Sequence, residues 1–154
     1  MNTQNDLEAM LKQSLATSAA TSAVTASGKW AGLVHSELAH AIVGAAIEVH
    51  RRIGPGQLES VYQRSLACEL RYRAIAFEAQ VPIAMQYRDE CVGEFFADFI
   101  IDDKIIIELK AVDRFHPAHT AQVLSYLRAT KLRLGLLMNF NAATLVQGVR
   151  RIVL

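Results

Sequence analysis

The sequence predicts one compact domain of the α/β or α+β class, with elements in the order α-α-β-β-β-α-β-(α)-β. Three observations predict it. The chain has 154 residues, 52% of them hydrophobic, enough to bury a core without disulfide or metal staples. Apolar residues recur at helical spacing in two early segments. After about residue 78 they gather instead into short runs bounded by turn signals, the mark of strands.

Residues 1–33 differ from the rest. DLEAMLKQSL has the spacing of a short amphipathic helix, but SLATSAATSAVTASGKW is almost all Ala, Ser and Thr and has no large apolar periodicity. Such a segment buries little area and reads as a flexible arm ahead of a domain over residues 34–154. An Ala-rich helix packed on the domain or on a partner is the alternative. Ser36 is the expected N-cap of a helix over 37–52, with Leu38, Ile42, Ala45, Ala46, Val49 and Ile53 on its apolar side. Gly54-Pro55-Gly56 breaks that helix. A second runs over 58–72, with an apolar face of Leu58, Val61, Tyr62, Leu66 and Leu70.

The strands follow. Residues 79–87 contain Pro82, which suits an edge strand or a strand end. Residues 92–101 and 104–112 are joined tightly enough for a hairpin. Pro117 opens a helix over 117–130, with Val123, Leu124 and Leu127 toward the core. LRLGLLMNF, residues 132–140, is a buried strand; 142–147 makes a helical turn and GVRRIVL a last strand.

Net charge of +1 excludes no class of partner. Its distribution says more: from Lys104 onward there are eight Lys/Arg against two acids, Glu108 and Asp113. That asymmetry suits a phosphate-rich ligand, with Arg114, Arg128 and Lys131 as phosphate contacts; a basic surface balanced within the fold is the alternative. Cys68 and Cys91 lack metal-ligand spacing and read as buried free thiols in a reducing compartment. No run of about 18 apolar residues indicates a membrane span, and no basic and apolar leader precedes the domain. The expected location is the cytoplasm.

The stretch DFIIDDKIIIELK, residues 98–110, puts Asp98, Glu108 and Lys110 into strands that otherwise read as core. Strand side chains alternate faces, so which charges meet depends on the loop. A two-residue loop at 102–103 pairs Asp98 with Ile107 and leaves the two acids on opposite faces. An odd loop or a bulge pairs Asp98 with Glu108. In that register the two Cβ atoms stand about 4.5–5.5 Å apart, unfavourable for like charges unless a cation lies between them. Oxygen ligands at that separation suit Mg²⁺ or Mn²⁺, and Lys110, on the same face as Glu108, suits orienting a water or offsetting charge on a phosphoryl group. The plainer reading is a solvated sheet face with the acids paired to Lys110 or arginines.

Other chemistry is thin. There is no Gly-rich phosphate loop, no G-x-S-x-G, and no Cys/His dyad with local context. His50 reads as a hydrogen-bonded helix histidine. His116 and His119 flank a helix start, where capping and phosphate contact are both open, and no third ligand points to zinc.

The motifs G-x-x-E-x-x-Y at 56–62, Asp98, Glu108-Leu109-Lys110 and Gln122-Val123-Leu124-Ser125-Tyr126 occur in that order. Together they resemble the GxxExxY protein family, which is placed in the PD-(D/E)XK nuclease superfamily, over about residues 36–154. The resemblance implies a restriction-endonuclease-like core, a central mixed sheet flanked by helices. It implies a metal-dependent nuclease or nuclease-like phosphodiesterase acting on DNA or RNA. Asp98 and Glu108 match the metal ligands and Lys110 the residue that assists water. Glu59 matches a further helix glutamate, a candidate to complete the metal shell or act as a base. Gln122 and Tyr126 match a Q-x-x-x-Y helix, candidates to hold Lys110, a carboxylate or a phosphate. The Leu109 carbonyl is a further candidate ligand. Ala97 stands where the superfamily motif has its Pro. Glu59 also reads as an acid favoured by a helix N-terminus, Tyr62 as a packing residue whose hydroxyl reaches the site edge, and Gln122 and Tyr126 as a polar helix edge. The alternative function is a non-cleaving nuclease-fold module, a homodimer or bound to a protein partner, that holds nucleic acid or protein without cutting.

Overall fold

The computed structural model describes residues 32–154. It contains helices α1 (Ser36–Ile53), α2 (Glu59–Tyr72) and α3 (Pro117–Thr130), strands β1 (Phe77–Tyr87), β2 (Glu90–Ile101), β3 (Ile105–Lys110), β4 (Leu134–Asn139) and β5 (Val149–Val153), and a 3-10 turn at Leu145–Gly148. The arm expected over 1–33 falls outside the described residues but for its last two. The five strands form one mixed sheet in sequence order, antiparallel except for the parallel pair β3–β4. This is the flanked mixed sheet of a restriction-endonuclease-like α/β fold. No described helix is long and apolar enough to cross a membrane.

Helices cover both faces of the sheet, so its central strands are apolar on both sides. Ile105, Ile107, Leu109, Leu134, Leu136 and Met138 pack with α1 and α2 around Ala45, Ala46, Leu66 and Leu70. Ile106 and Leu137 face the other way, onto Val123, Tyr126 and Leu127 of α3. Gly135 lets α3 come close, because a Cβ there would stand 2.4 Å from Val123 Cγ1. Pro82 does lie on an edge strand, β1.

Several local expectations need correction. Ser36 is the first helical residue rather than the cap; His35 holds the cap position and makes no side-chain capping bond. Leu58 is no part of the apolar face of α2: it is the residue before the helix and is 74% exposed. Tyr126 joins the core beside Val123 and Leu127, in a place read as a polar edge. Both cysteines are free but exposed, since each lies on the solvent side of its element.

Candidate active site

The β2–β3 turn decides which charges meet. Lys104 N–H donates to the Ile101 carbonyl across 2.9 Å, with Asp102 and Asp103 both at positive φ, the signs of a two-residue type I′ turn. Yet the ladder beyond it pairs Ile101 with Ile105, Ile100 with Ile106 and Phe99 with Ile107. Lys104 is therefore an extra residue, a bulge. Continued one step, this register sets Asp98 opposite Glu108.

There the ladder stops. In place of a strand carbonyl, Asp98 Oδ2 accepts the Leu109 N–H at 2.8 Å, while Oδ1 accepts from Gln80 Nε2 at 3.1 Å. The Leu109 carbonyl leaves β3 on the same edge as its N–H and so faces the same gap. Glu108 is buried, 3% exposed, and its Oε1 accepts from Lys110 Nζ at 2.6 Å. Its Oε2 is buried without a hydrogen-bond partner. A buried, partnerless carboxylate oxygen is costly in a finished structure and calls for an explanation.

The charges feel one another. Burial pushes the Glu108 carboxyl up to about 7; Asp98 and Glu59 push the same way, and the Lys110 ammonium resists. Burial raises Asp98 as well, against the Leu109 N–H, Lys110 and Gln80. Burial works against the Lys110 ammonium, but Glu108, Glu59 and Asp98 outweigh it and hold the group charged. Glu59, the first residue of α2, approaches from beyond the end of β3. Desolvation raises its carboxyl and Asp98 adds to this, while Lys110 and the Ala111 backbone N–H oppose it.

Tyr62 does not reach this group. It is buried, stacked on Phe140 with centroids 4.6 Å apart, and its hydroxyl donates to the Gly54 carbonyl at 2.7 Å and accepts from Gln57 N–H at 3.0 Å. It clamps the 54–57 loop that delivers Glu59. Across the sheet, Gln122 Nε2 donates to the Tyr126 hydroxyl at 2.7 Å, so the two hold each other rather than Lys110 or a carboxylate. Tyr126 packs with Ile106, which shares its face of β3 with Glu108, and burial raises the tyrosine hydroxyl. His119, three residues before Gln122, accepts the His116 N–H at 3.2 Å on Nδ1, and His116 in turn accepts from Ala118. The two histidines thus cap α3. His50 Nε2 donates to the Ala142 carbonyl, 2.9 Å away, as a hydrogen-bonded helix histidine does.

The basic candidates divide. Arg114 is exposed four residues past Lys110, at the site end of the sheet. Arg128 and Lys131 are exposed on the last turn and C-cap of α3. The chain re-enters the sheet just after them at Leu134, opposite Ile105, so they lie about one strand length, roughly 20 Å, from Lys110. Two residues escaped notice in the sequence. Gln80 touches Asp98, but only the register reveals it. Asn139, at the end of β4, exchanges two hydrogen bonds with Val112, at 3.1 and 2.7 Å, and so fixes the chain leaving Lys110.

The donor set fits a small hard cation: two adjacent carboxylates, a partnerless buried oxygen and a backbone carbonyl. Among the described residues no group of three or more His, Cys, Asp or Glu is placed to hold a metal; Glu59 feels Lys110 and Asp98 from the first turn of α2. The model of the PD-(D/E)XK nuclease superfamily matches residues 36–152. No curated protein and no solved structure matches the chain.

Proposed function

This chain belongs to the PD-(D/E)XK nuclease superfamily, and on that premise we propose that it is a metal-dependent nuclease hydrolysing nucleic-acid phosphodiester bonds. Within the superfamily we assign it to the GxxExxY branch on Gly56, Glu59 and Tyr62. Enzymes of this superfamily generally use divalent metal ions. Mg²⁺ is the ion proposed here, with Mn²⁺ able to replace it, because Mg²⁺ binds through one or two carboxylates and keeps several waters.

The observation that carries the reading is the partnerless Glu108 Oε2, buried beside Asp98 and the Lys110 ammonium. Asp98, Glu108 and the Leu109 carbonyl would hold the metal, and Glu59 would act on its outer side through water. When bound, such an ion polarises a phosphoryl oxygen and lowers the pKa of its water. Lys110 keeps its charge in the presence of three carboxyls, which suits an ammonium that orients the attacking water and offsets charge on the phosphoryl oxygens. Tyr126 and Gln122 form the opposite wall, where the hydroxyl retains a hydrogen to donate to a phosphate. Arg114 would take a neighbouring phosphate. Arg128 and Lys131 would serve only a nucleic acid long enough to follow α3 to the far end of the sheet.

Mg²⁺- or Mn²⁺-dependent cleavage of DNA and RNA by wild type and Lys110→Ala tests this. The expected loss in the variant is about 100-fold or more. Equal activity in both, or no cleavage with either metal, refutes the catalytic claim. The absence of a third close acid among the described residues favours one rival, a nuclease-fold module that binds without cutting. Calorimetric Mn²⁺ titration separates the two. A nuclease binds Mn²⁺ and loses it in Asp98→Asn, whereas a pure binding module shows no Mn²⁺ affinity that depends on Asp98.

A further inference from the structure

Gln80 sits inside β1 with φ of 52°, a left-handed conformation that strains a residue with a side chain. Its register partner is Asp98: Ala79 pairs with Phe99 and Val81 with Ala97, and Gln80 lies between. The sheet turns over at this step. Phe77 packs edge-on against Phe99 in the α1/α2 core, yet Ile83 and Ala97 belong to the α3 core and Phe95 lies against Tyr126. Residues of one parity therefore change faces in both strands at Gln80 and Asp98, without loss of register. The outer half of the hairpin is thereby laid against α3, where Ser125 Oγ meets Met85 Sδ at 3.8 Å. At the crossover the Gln80 amide donates to Asp98 Oδ1, leaving Oδ2 for the Leu109 N–H.

We infer that Gln80 is a positioning residue for the metal site, holding the Asp98 carboxylate so that its remaining lone pairs face Glu108. The inference rests on the proposed function for its metal and on the hydrogen bonds alone for its geometry. A core role does not explain the residue: Gln80 is exposed, and its neighbours Ala79 and Val81 are apolar. Nor does the backbone require glutamine, since glycine adopts positive φ without strain. The strained backbone and the polar side chain coincide at the one β1 position opposite Asp98.

The coincidence makes the role separable from folding. Gln80→Gly relieves the backbone and removes the amide. Gln80→Asn tolerates the left-handed conformation but falls one methylene short of Asp98. Three readouts on the full chain are needed: denaturant midpoint, hydrogen exchange of the Leu109 amide without metal, and Mn²⁺ affinity. The expected result is a Gln80→Gly protein at least as stable as wild type, with faster Leu109 exchange and Mn²⁺ binding weakened about 10- to 100-fold, the usual effect of removing a group that holds a metal ligand. Gln80→Asn should follow it in exchange and affinity. Unchanged Leu109 exchange in both variants overturns the positioning role whatever the metal does. Weakened Mn²⁺ binding in Asp98→Asn with wild-type binding in Gln80→Gly also overturns it, while sparing the metal reading. If Leu109 exchange rises but neither wild type nor any variant binds Mn²⁺, positioning of Asp98 stands and the metal reading fails.

Discussion

Glu108 gives the site a stability signature that requires no substrate. Its carboxyl ordinarily titrates at 4.5 and is held at about 7 in the fold, by burial first and then by Asp98. Between those values the folded protein binds a proton that the unfolded chain has released, so stability falls as pH rises through this window and levels off above it. A rise from 4.5 to about 7 corresponds to about 3 kcal/mol, since each pH unit is worth about 1.4 kcal/mol. Asp98 and Glu59 are also raised and add in the same direction. Glu48 works oppositely: its bonds to Arg51 and then Arg52 hold it at about 2, so its contribution is lost only as pH drops below 4.5. Both arginines are well exposed, and solvent weakens that contribution further. A window of pH 5 to 8 therefore leaves Glu48 out. Within it His119, lowered by burial and then by Lys110 and His116, works against the acids, and the comparison with Glu108→Gln separates the two. Urea denaturation with chelator present should show the wild-type midpoint dropping across it, with most of the drop absent in Glu108→Gln. On the proposed metal reading, saturating Mg²⁺ would bind the ionised pair and should stabilise more at pH 8 than at pH 5. A flat wild-type profile, or one parallel to that of Glu108→Gln, refutes the coupling of burial, Asp98 and Glu108.

Two further predictions concern the scaffold. Tyr62→Phe removes a hydroxyl bonded on both sides to the 54–57 loop and should cost about 1–3 kcal/mol by denaturation, with Glu59 less firmly placed. Gly135→Ala drives a Cβ to 2.4 Å from Val123 Cγ1 and should destabilise by about 1–3 kcal/mol, with part of the loss recovered when Val123→Ala is added; a strictly additive double variant contradicts that packing.

Element existence and order were legible because periodicity and turn residues are local signals. α1, α2 and α3 follow helical spacing broken by Gly54-Pro55-Gly56 and reopened at Pro117, and the central strands read as unbroken apolar runs because both their faces are covered. Single-residue details were not. Leu58 looked like the first knob of an apolar face, but the Gly-Pro-Gly loop holds it outside the helix, in solvent. Tyr126 looked polar-edge, but the rolled hairpin brings Phe95 over it and buries it. Arg128 and Lys131 were grouped with Lys110 by charge alone, whereas α3 carries them away from it.

The site shows the same limit more sharply, because its membership turns on two extra residues. At Lys104, the bulge after a two-residue turn shifts β3 by one and sets Asp98 opposite Glu108; without it Asp98 would face Ile107 and the acids would point to opposite sides. At Val92, Gln86 pairs with Cys91 but Met85 pairs with Gly93, so one β2 residue is skipped. Without that skip Gln80 would stand opposite Ala97 rather than Asp98. An odd loop or a bulge between β2 and β3 was inferable, since only these join Asp98 and Glu108 on one face. Nothing in the residue pattern marks Val92 as extra, and nothing marks Gln80 as left-handed. The carboxylate pair could thus be read from chemistry, while the glutamine that holds it could be read only from the register.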